Sequence, residues 1–291
     1  MHRLLVFILL WISFPVFSQE RMKTPFDKYG PYGAQVFTDL KEALKVPLAV
    51  YKLDLSYQPV DVKLWQKVGS FKNLQALQLQ STSLNQWPAD FNALNNLVFL
   101  GSYNNEFASL PKDLKSFSSL MYLEFYNSKI DSIPQDIAYL QRLKTFKFSG
   151  NNDTLKLPES LKYLKSLTDL VFESVVLDSM PQSLFSISTV KNLIIANCAV
   201  QALPDTMQKL SNLEVLVLDF NKLNAIPWNI YKCQKLFVLS LRHNNITKIP
   251  PTICLLPNLT KLDLSDNPIC NDKQALMELK ALLPGCEILT K

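Results

Sequence analysis

The stretch "LFVLSLRHNNITKIPPTICLLPNL", residues 236–259, places Leu or Ile at Leu236, Leu239, Leu241, Ile246, Ile249, Ile253, Leu256 and Leu259. Neither the 3.6 period of a helix nor the 2.0 period of a strand accounts for all eight positions. Leu239 and Leu241 alternate as in a strand, and the spacing then widens. The same pattern returns 23 residues earlier, in "LEVLVLDFNKLNAIPWNIYKCQKL" from Leu213. Proline marks the period along the chain: Pro88, Pro111, Pro134, Pro158, Pro181, Pro204, Pro227 and Pro250 are spaced by 23 residues, with a single step of 24. A period of this size is the signature of stacked units that share one core, since a single unit cannot bury its apolar face alone.

The units begin at Val50, Leu74, Leu97, Leu120, Leu143, Leu167, Val190, Leu213, Leu236 and Leu259, about ten in all. Each opens with a short alternating segment, which predicts a strand with its leucines inward. Eight residues into the unit is a position filled by Asn105, Asn151, Asn221, Asn244 and Asn267. A buried amide both donates and accepts, so a column of them can pair backbone groups left open where each coil turns. Thr82, Ser128 and Cys198 can do part of this work at the same position. Val175 cannot, so the column is expected to break there.

This motif, Leu-x-x-Leu-x-Leu-x-x-Asn-x-Leu-x-x-Ile-Pro in Leu236 to Pro250, resembles the leucine-rich repeat family in its 23-residue form. The likeness runs from about residue 50 to 269, and to exported bacterial members in particular. It implies an α/β fold: a curved solenoid with a parallel sheet on the concave face, short helical or 3-10 turns on the convex face, and helical caps at both ends. It also implies a non-enzymatic binding module that takes a protein or peptide on its concave face, with glycan binding or envelope adhesion as the alternative.

The ends fit this organisation. Residues 37–45, "FTDLKEALK", predict an amphipathic helix stopped by Pro47, so residues 19–49 read as an arm and an N-terminal cap. The segment from Asp272 predicts a capping helix with Leu276, Leu279 and Leu283 toward the last coil, within a cap at residues 270–291. Residues 1–18 combine Arg3, an apolar run from Leu4 to Ile12 and small residues before Gln19. That is a secretory leader, too short to span a bilayer, for which about 20 apolar residues are needed. A secreted, periplasmic or cell-surface protein with no membrane span after cleavage is expected.

The net charge of +5 is interspersed rather than clustered, which argues against a nucleic-acid partner. Five cysteines are an odd count for an exported chain. Cys233 falls on an apolar position and reads as a packed thiol. Cys270 and Cys286 flank the C-terminal helix and are either a disulfide or two reduced thiols.

No zinc-protease motif, Cys-x-x-Cys pair, phosphate loop or calcium-loop spacing is found, so no metal, cofactor or catalytic residue is expected. His243, the one histidine beyond the leader, reads as an exposed loop residue at a strand exit. Asp131, Asp153, Asp178 and Asp205 each precede Ser or Thr and then an apolar residue, which is similar to an acceptor for bacterial O-glycans or plain loop chemistry.

The remaining signal is on the outward strand positions. Phe99, Gly101 and Tyr103 in the third unit lie beside Tyr122, Glu124 and Tyr126 in the fourth, giving four rings, a carboxylate and an expected hollow at Gly101. These six residues are the candidate ligand site, because rings with a polar rim mark contact surfaces. A second strip, Val171, Ile194, Val215, Val217 and Val238 edged by Asp169, Glu173 and Asp219, is equally explained by the preference of β-branched residues for strands.

Overall fold

The computed structural model describes residues 29–150, 154–177 and 182–291; the segment expected to be a leader, Asn151, Asp153, Asp178 and Pro181 lie outside them. Fourteen strands follow one another among the described residues: β1 (Val36–Phe37), β2 (Lys52–Asp54), β3 (Ala76–Gln80), β4 (Phe99–Tyr103), β5 (Tyr122–Tyr126), β6 (Thr145–Ser149), β7 (Thr154–Leu155), β8 (Asp169–Glu173), β9 (Val176–Leu177), β10 (Asn192–Ala196), β11 (Val215–Val217), β12 (Val238–Ser240), β13 (Lys261–Asp263) and β14 (Glu287–Leu289). Twelve of them form one parallel sheet in chain order, and β7 pairs with β9 in a separate two-stranded sheet.

The register follows from the repeat. Leu53, Leu77, Leu100, Leu123, Phe146, Leu170, Leu193, Leu216, Leu239 and Leu262 are partners in sequence across the sheet. All are buried and belong to one continuous core. A slip of one residue would turn this whole column toward solvent, so burial of the column fixes the pairing.

The returning side of the coils is built from short 3-10 turns, and in five of them the periodic proline is the N-cap. Pro134, Pro158, Pro204, Pro227 and Pro250 have φ between −61° and −84°, close to the value their rings impose. Their carbonyls accept the first turn bonds, from Ile137, Leu161, Met207, Ile230 and Ile253. Cys233 is a fully buried free thiol on this side, and burial pushes its pKa up to about 11.

The amide column is formed at its four described asparagines. Asn105 Oδ1 accepts the Thr82 amide at 2.9 Å and its hydroxyl at 2.7 Å. Asn221 accepts the Cys198 and Val200 amides and donates to Ile195, Leu218 and Asp219 carbonyls. Asn244 and Asn267 repeat the arrangement. Cys198 takes its place with a thiol, donating to Phe172 O at 3.4 Å and Ala196 O at 3.2 Å. Val175 fills the gap with a buried methyl pair. Ser128 departs from expectation: its hydroxyl is buried with no partner among the described residues, because a serine is too short to span to the neighbouring coil.

A second column lies one residue earlier. Ser81, Asn104, Asn127, Ser174, Asn197, Phe220, His243 and Asp266 all have positive φ, between 49° and 59°. Polar residues tolerate this conformation by local hydrogen bonding; Phe220 has no such means and is the strained member. Neighbours in the column bond sideways, Asn127 Nδ2 to Asn104 Oδ1 at 2.6 Å and Asn197 Nδ2 to Ser174 Oγ at 3.2 Å. His243 belongs here, stacked on Phe220 at 4.4 Å and paired with Asp266 at 2.9 Å.

Both ends are capped by helices, with differences from the expected spans. The N-terminal helix α1 runs Leu40–Lys45 rather than 37–45, with Asp39 Oδ1 accepting the Glu42 amide as its N-cap. Phe37 is instead in β1, where it pairs with Leu53 and packs on the core. A second short helix, α2 (Val62–Trp65), lies in the first unit. The C-terminal helix α3 (Lys273–Leu282) starts at Asp272, which caps the Ala275 amide. Leu279 and Leu283 are buried against the core and Leu276 is half-buried. The chain then adds β14, which closes the sheet edge beside β13. Cys270 and Cys286 are both free; the Cys270 thiol meets Leu264 O at 3.0 Å and Cys286 meets Glu287 O.

Candidate functional site

β4 and β5 bring the six candidate residues together in register: Phe99 beside Tyr122, Gly101 beside Glu124 and Tyr103 beside Tyr126. Inward Leu100, Ser102, Leu123 and Phe125 alternate with them and are buried, so the six share the outward face. β6 adds Lys147, the next partner of Glu124. Glu124 accepts the Tyr103 hydroxyl at 2.6 Å and pairs with the Lys147 ammonium at 3.2 Å. The Tyr103 and Tyr126 rings stack at 5.1 Å with an interplanar angle of 22°. Burial, and then the Glu124 charge, raises the pKa of both phenols, so each is a neutral hydrogen-bond donor at any physiological pH. Burial also raises the pKa of Glu173, against the opposing Lys147 charge.

Two expectations for this face need correction. The hollow at Gly101 is absent. A Cβ built there would stand 2.8 Å from Tyr103 Cε2 and 2.9 Å from Phe99 Cζ, because both rings lean along their own strand into the space glycine leaves. Phe99 is consequently only 2% exposed and forms a small apolar cluster with Ala76, rather than an open contact ring. Tyr103, Tyr122, Glu124 and Tyr126 remain half-buried.

Tyr29 and Lys147 are members the sequence reading missed. Tyr29 packs on the Ala76–Phe99 cluster from above, with its ring 5.8 Å from that of Tyr122. Nothing in the patternless arm could have announced it. Lys147 was legible as the next outward position after Glu124.

The aliphatic strip is buried rather than open. Val215, Val217 and Val238 cover one another, Ile194 packs against them, and Val171 is buried as well. Asp219, next outward after Val217, is buried too, accepting Ser240 Oγ at 2.6 Å and the Arg242 amide at 3.0 Å. Burial lifts the Asp219 pKa to about 6. Of the acceptor-like serines and threonines, Thr206 has a buried hydroxyl, and Ser132 Oγ donates to Asp131 at 2.8 Å. Among the described residues, no cluster of three His, Cys, Asp or Glu is placed to hold a metal, and no helix is long and apolar enough to cross a membrane.

A family model described as leucine rich repeat matches residues 211–269, and the periodic coils continue on the N-terminal side of that match with the same register. The fold is that of a leucine-rich repeat solenoid. Among curated proteins, none matches the sequence. Among solved structures, this chain is similar to the plant peptide hormone receptor RGFR1 in complex with RGF2, at 25% identity and a TM-score of 0.62 over 74% of this chain. It is also similar to the Arabidopsis receptor kinase HAESA in complex with the peptide hormone IDA and the co-receptor SERK1, at 23% identity, a TM-score of 0.59 and 74% of this chain. It spans only 36% and 38% of those two chains. An internalin (inlF) from Listeria monocytogenes matches at 16% identity and a TM-score of 0.57, with 87% of each chain covered, which is a likeness of fold.

Proposed function

We propose that this leucine-rich repeat protein is an exported, non-enzymatic binding module that holds a protein or peptide across its concave sheet. The leader at residues 1–18 supports export to the cell surface, periplasm or medium, with a mature N-terminus near Gln19. The observation that carries the binding site is the Tyr103–Glu124–Lys147 network with Tyr126 stacked beside it. Three adjacent strands there hold rigid aromatic area, a neutral donor and both signs of charge, all half-buried. Such preorganised, partly desolvated groups are what contact centres use. That the similar RGFR1 structure is a peptide hormone receptor in complex with RGF2 supports a peptide as the occupant. Glycan binding gains no specific observation, since the Tyr103 and Tyr126 rings stack on one another.

The test is affinity capture with the mature protein as bait, from the envelope and medium of the source organism, with Tyr126→Ala as control. Removing a ring from a contact centre is expected to weaken binding about 30-fold, from roughly 2 kcal/mol. Because Tyr126 also stacks on Tyr103, a loss of about 1 kcal/mol in stability is expected alongside. Equal retention of a single ligand by both proteins would move the site off this patch.

A further inference from the structure

The aromatic patch has two halves. Tyr103, Glu124, Tyr126 and Lys147 form one. The other half is already occupied. In the first outward column Lys52, Ala76, Phe99 and Tyr122 are register partners, and the small Ala76 leaves a recess between two long side chains. Tyr29 fills that recess, packing on Ala76, Phe99 and Tyr122, and its phenol shares a hydrogen bond with Tyr122. The next backbone amide, Gly30 N, donates to Gln75 Oε1 at 2.9 Å, 45 residues away in sequence.

The turn that brings the arm there is built for it. Gly30 has φ +83°, and a Cβ at that position would stand 3.1 Å from Tyr51 Cβ and 3.2 Å from Lys52 Cε. Only glycine combines that conformation with that approach.

We infer that the recess over Ala76 and Phe99 is a subsite for an aromatic side chain of an extended peptide, and that the chain's own Tyr29–Gly30 segment is its resident occupant. This deepens the binding-face reading above and rests on it. Recognition uses the ring on the Phe99–Tyr122 floor, its hydroxyl on Tyr122, and the following backbone N–H on Gln75. An incoming ligand needs an aromatic residue to exchange with Tyr29, so the arm sets a threshold that apolar peptides without a ring do not pass. A tethered competitor lowers the apparent affinity by the fraction of molecules in which it has vacated the site.

The probe is a fluorescein-labelled tetrapeptide, Lys-Tyr-Gly-Pro, capped at both ends and copying residues 28–31, with a copy carrying Ala for Tyr as control. Anisotropy is titrated against wild type, Tyr29→Ala and Gly30→Val, each checked by melting temperature. Tyr29→Ala should bind the tyrosine peptide saturably, with affinity about 2- to 12-fold above wild type, the range one ring pair supplies. Gly30→Val should give a gain of the same sense while keeping Tyr29, because a β-branched residue at positive φ dislodges the turn. No binding by either variant, equal binding by wild type and both variants, or equal binding of the alanine peptide would overturn the subsite. Capture of a native ligand that depends on Tyr126 would still stand in each of those cases, so the two readings fail separately.

Discussion

Two asparagines that look equivalent in the repeat should differ in what they contribute to stability. Asn221 and Asn244 occupy the same column position one unit apart, and both are buried. Their amides donate to carbonyls that mostly keep another partner. Leu218 O receives both Asn221 at 2.8 Å and Asn244 at 2.9 Å; Leu241 O receives both Asn244 at 2.9 Å and Asn267 at 2.8 Å. Asp219 O and Arg242 O also accept the Asn197 and Phe220 amides. The difference is on the accepting side. Asn221 Oδ1 holds two backbone amides, Cys198 N and Val200 N, each at 3.1 Å, whereas Asn244 Oδ1 holds only Leu223 N at 3.0 Å. Asn221→Ala therefore strands two buried N–H groups and removes the 2.7 Å bond to Ile195 O; Asn244→Ala strands one. At about 1–3 kcal/mol for each stranded group, Asn244→Ala should cost about 1–3 kcal/mol and Asn221→Ala about 2–6 kcal/mol, twice as much. Urea denaturation followed by far-UV circular dichroism reads both, provided the transition stays cooperative across the repeats. Equal losses, or a larger loss for Asn244→Ala, would refute the idea that stranded amide donors govern the column's energetics.

Asp219 makes stability depend on pH. Its folded pKa of about 6 lies above its ordinary value of 3.8, so the folded chain binds the extra proton between those limits. Stability should fall as pH rises from about 4 to 6 and level off above, by up to about 2–3 kcal/mol. Asp219→Asn, which keeps an acceptor for Ser240 and Arg242, should remove that slope and stabilise the protein at pH 7; a slope unchanged in the variant would clear Asp219 of responsibility. At Gly150 a Cβ would stand 2.6 Å from Val175 Cγ1, so Gly150→Ala should cost about 1–3 kcal/mol, with much of it restored by Val175→Ala in a double-mutant cycle. A Gly150→Ala chain as stable as wild type would show that Val175 has room to move.

The solenoid was legible because repetition multiplies weak signals. One Leu-x-Leu alternation is ambiguous, but ten in phase fix strand, register and core together. The asparagine column was legible for the same reason, and Cys198 as its substitute followed from chemistry: a thiol donates to the carbonyl that Asn would have reached. Ser128 failed because the column demands reach as well as polarity. The edge strands β1 and β14 were missed because each is two or three residues long and pairs with only one neighbour, so neither produces a periodic pattern.

The candidate site was only half legible, and the reason is geometric. Alternation tells which face a side chain leaves by; it says nothing of how side chains crowd once there. On a concave sheet the outward residues converge, so Val215, Val217 and Val238 bury one another and Phe99 folds over Gly101. A glycine among rings is therefore read more reliably as space the rings will take than as space left for a ligand. The residue that does report a recess is Ala76, small between Lys52 and Phe99, and the ring that fills it is Tyr29, 47 positions away in an arm without pattern. Contacts of that span depend on where two chain segments meet in the folded state, and the arm, lying outside the repeat, has no register from which its meeting place could be deduced.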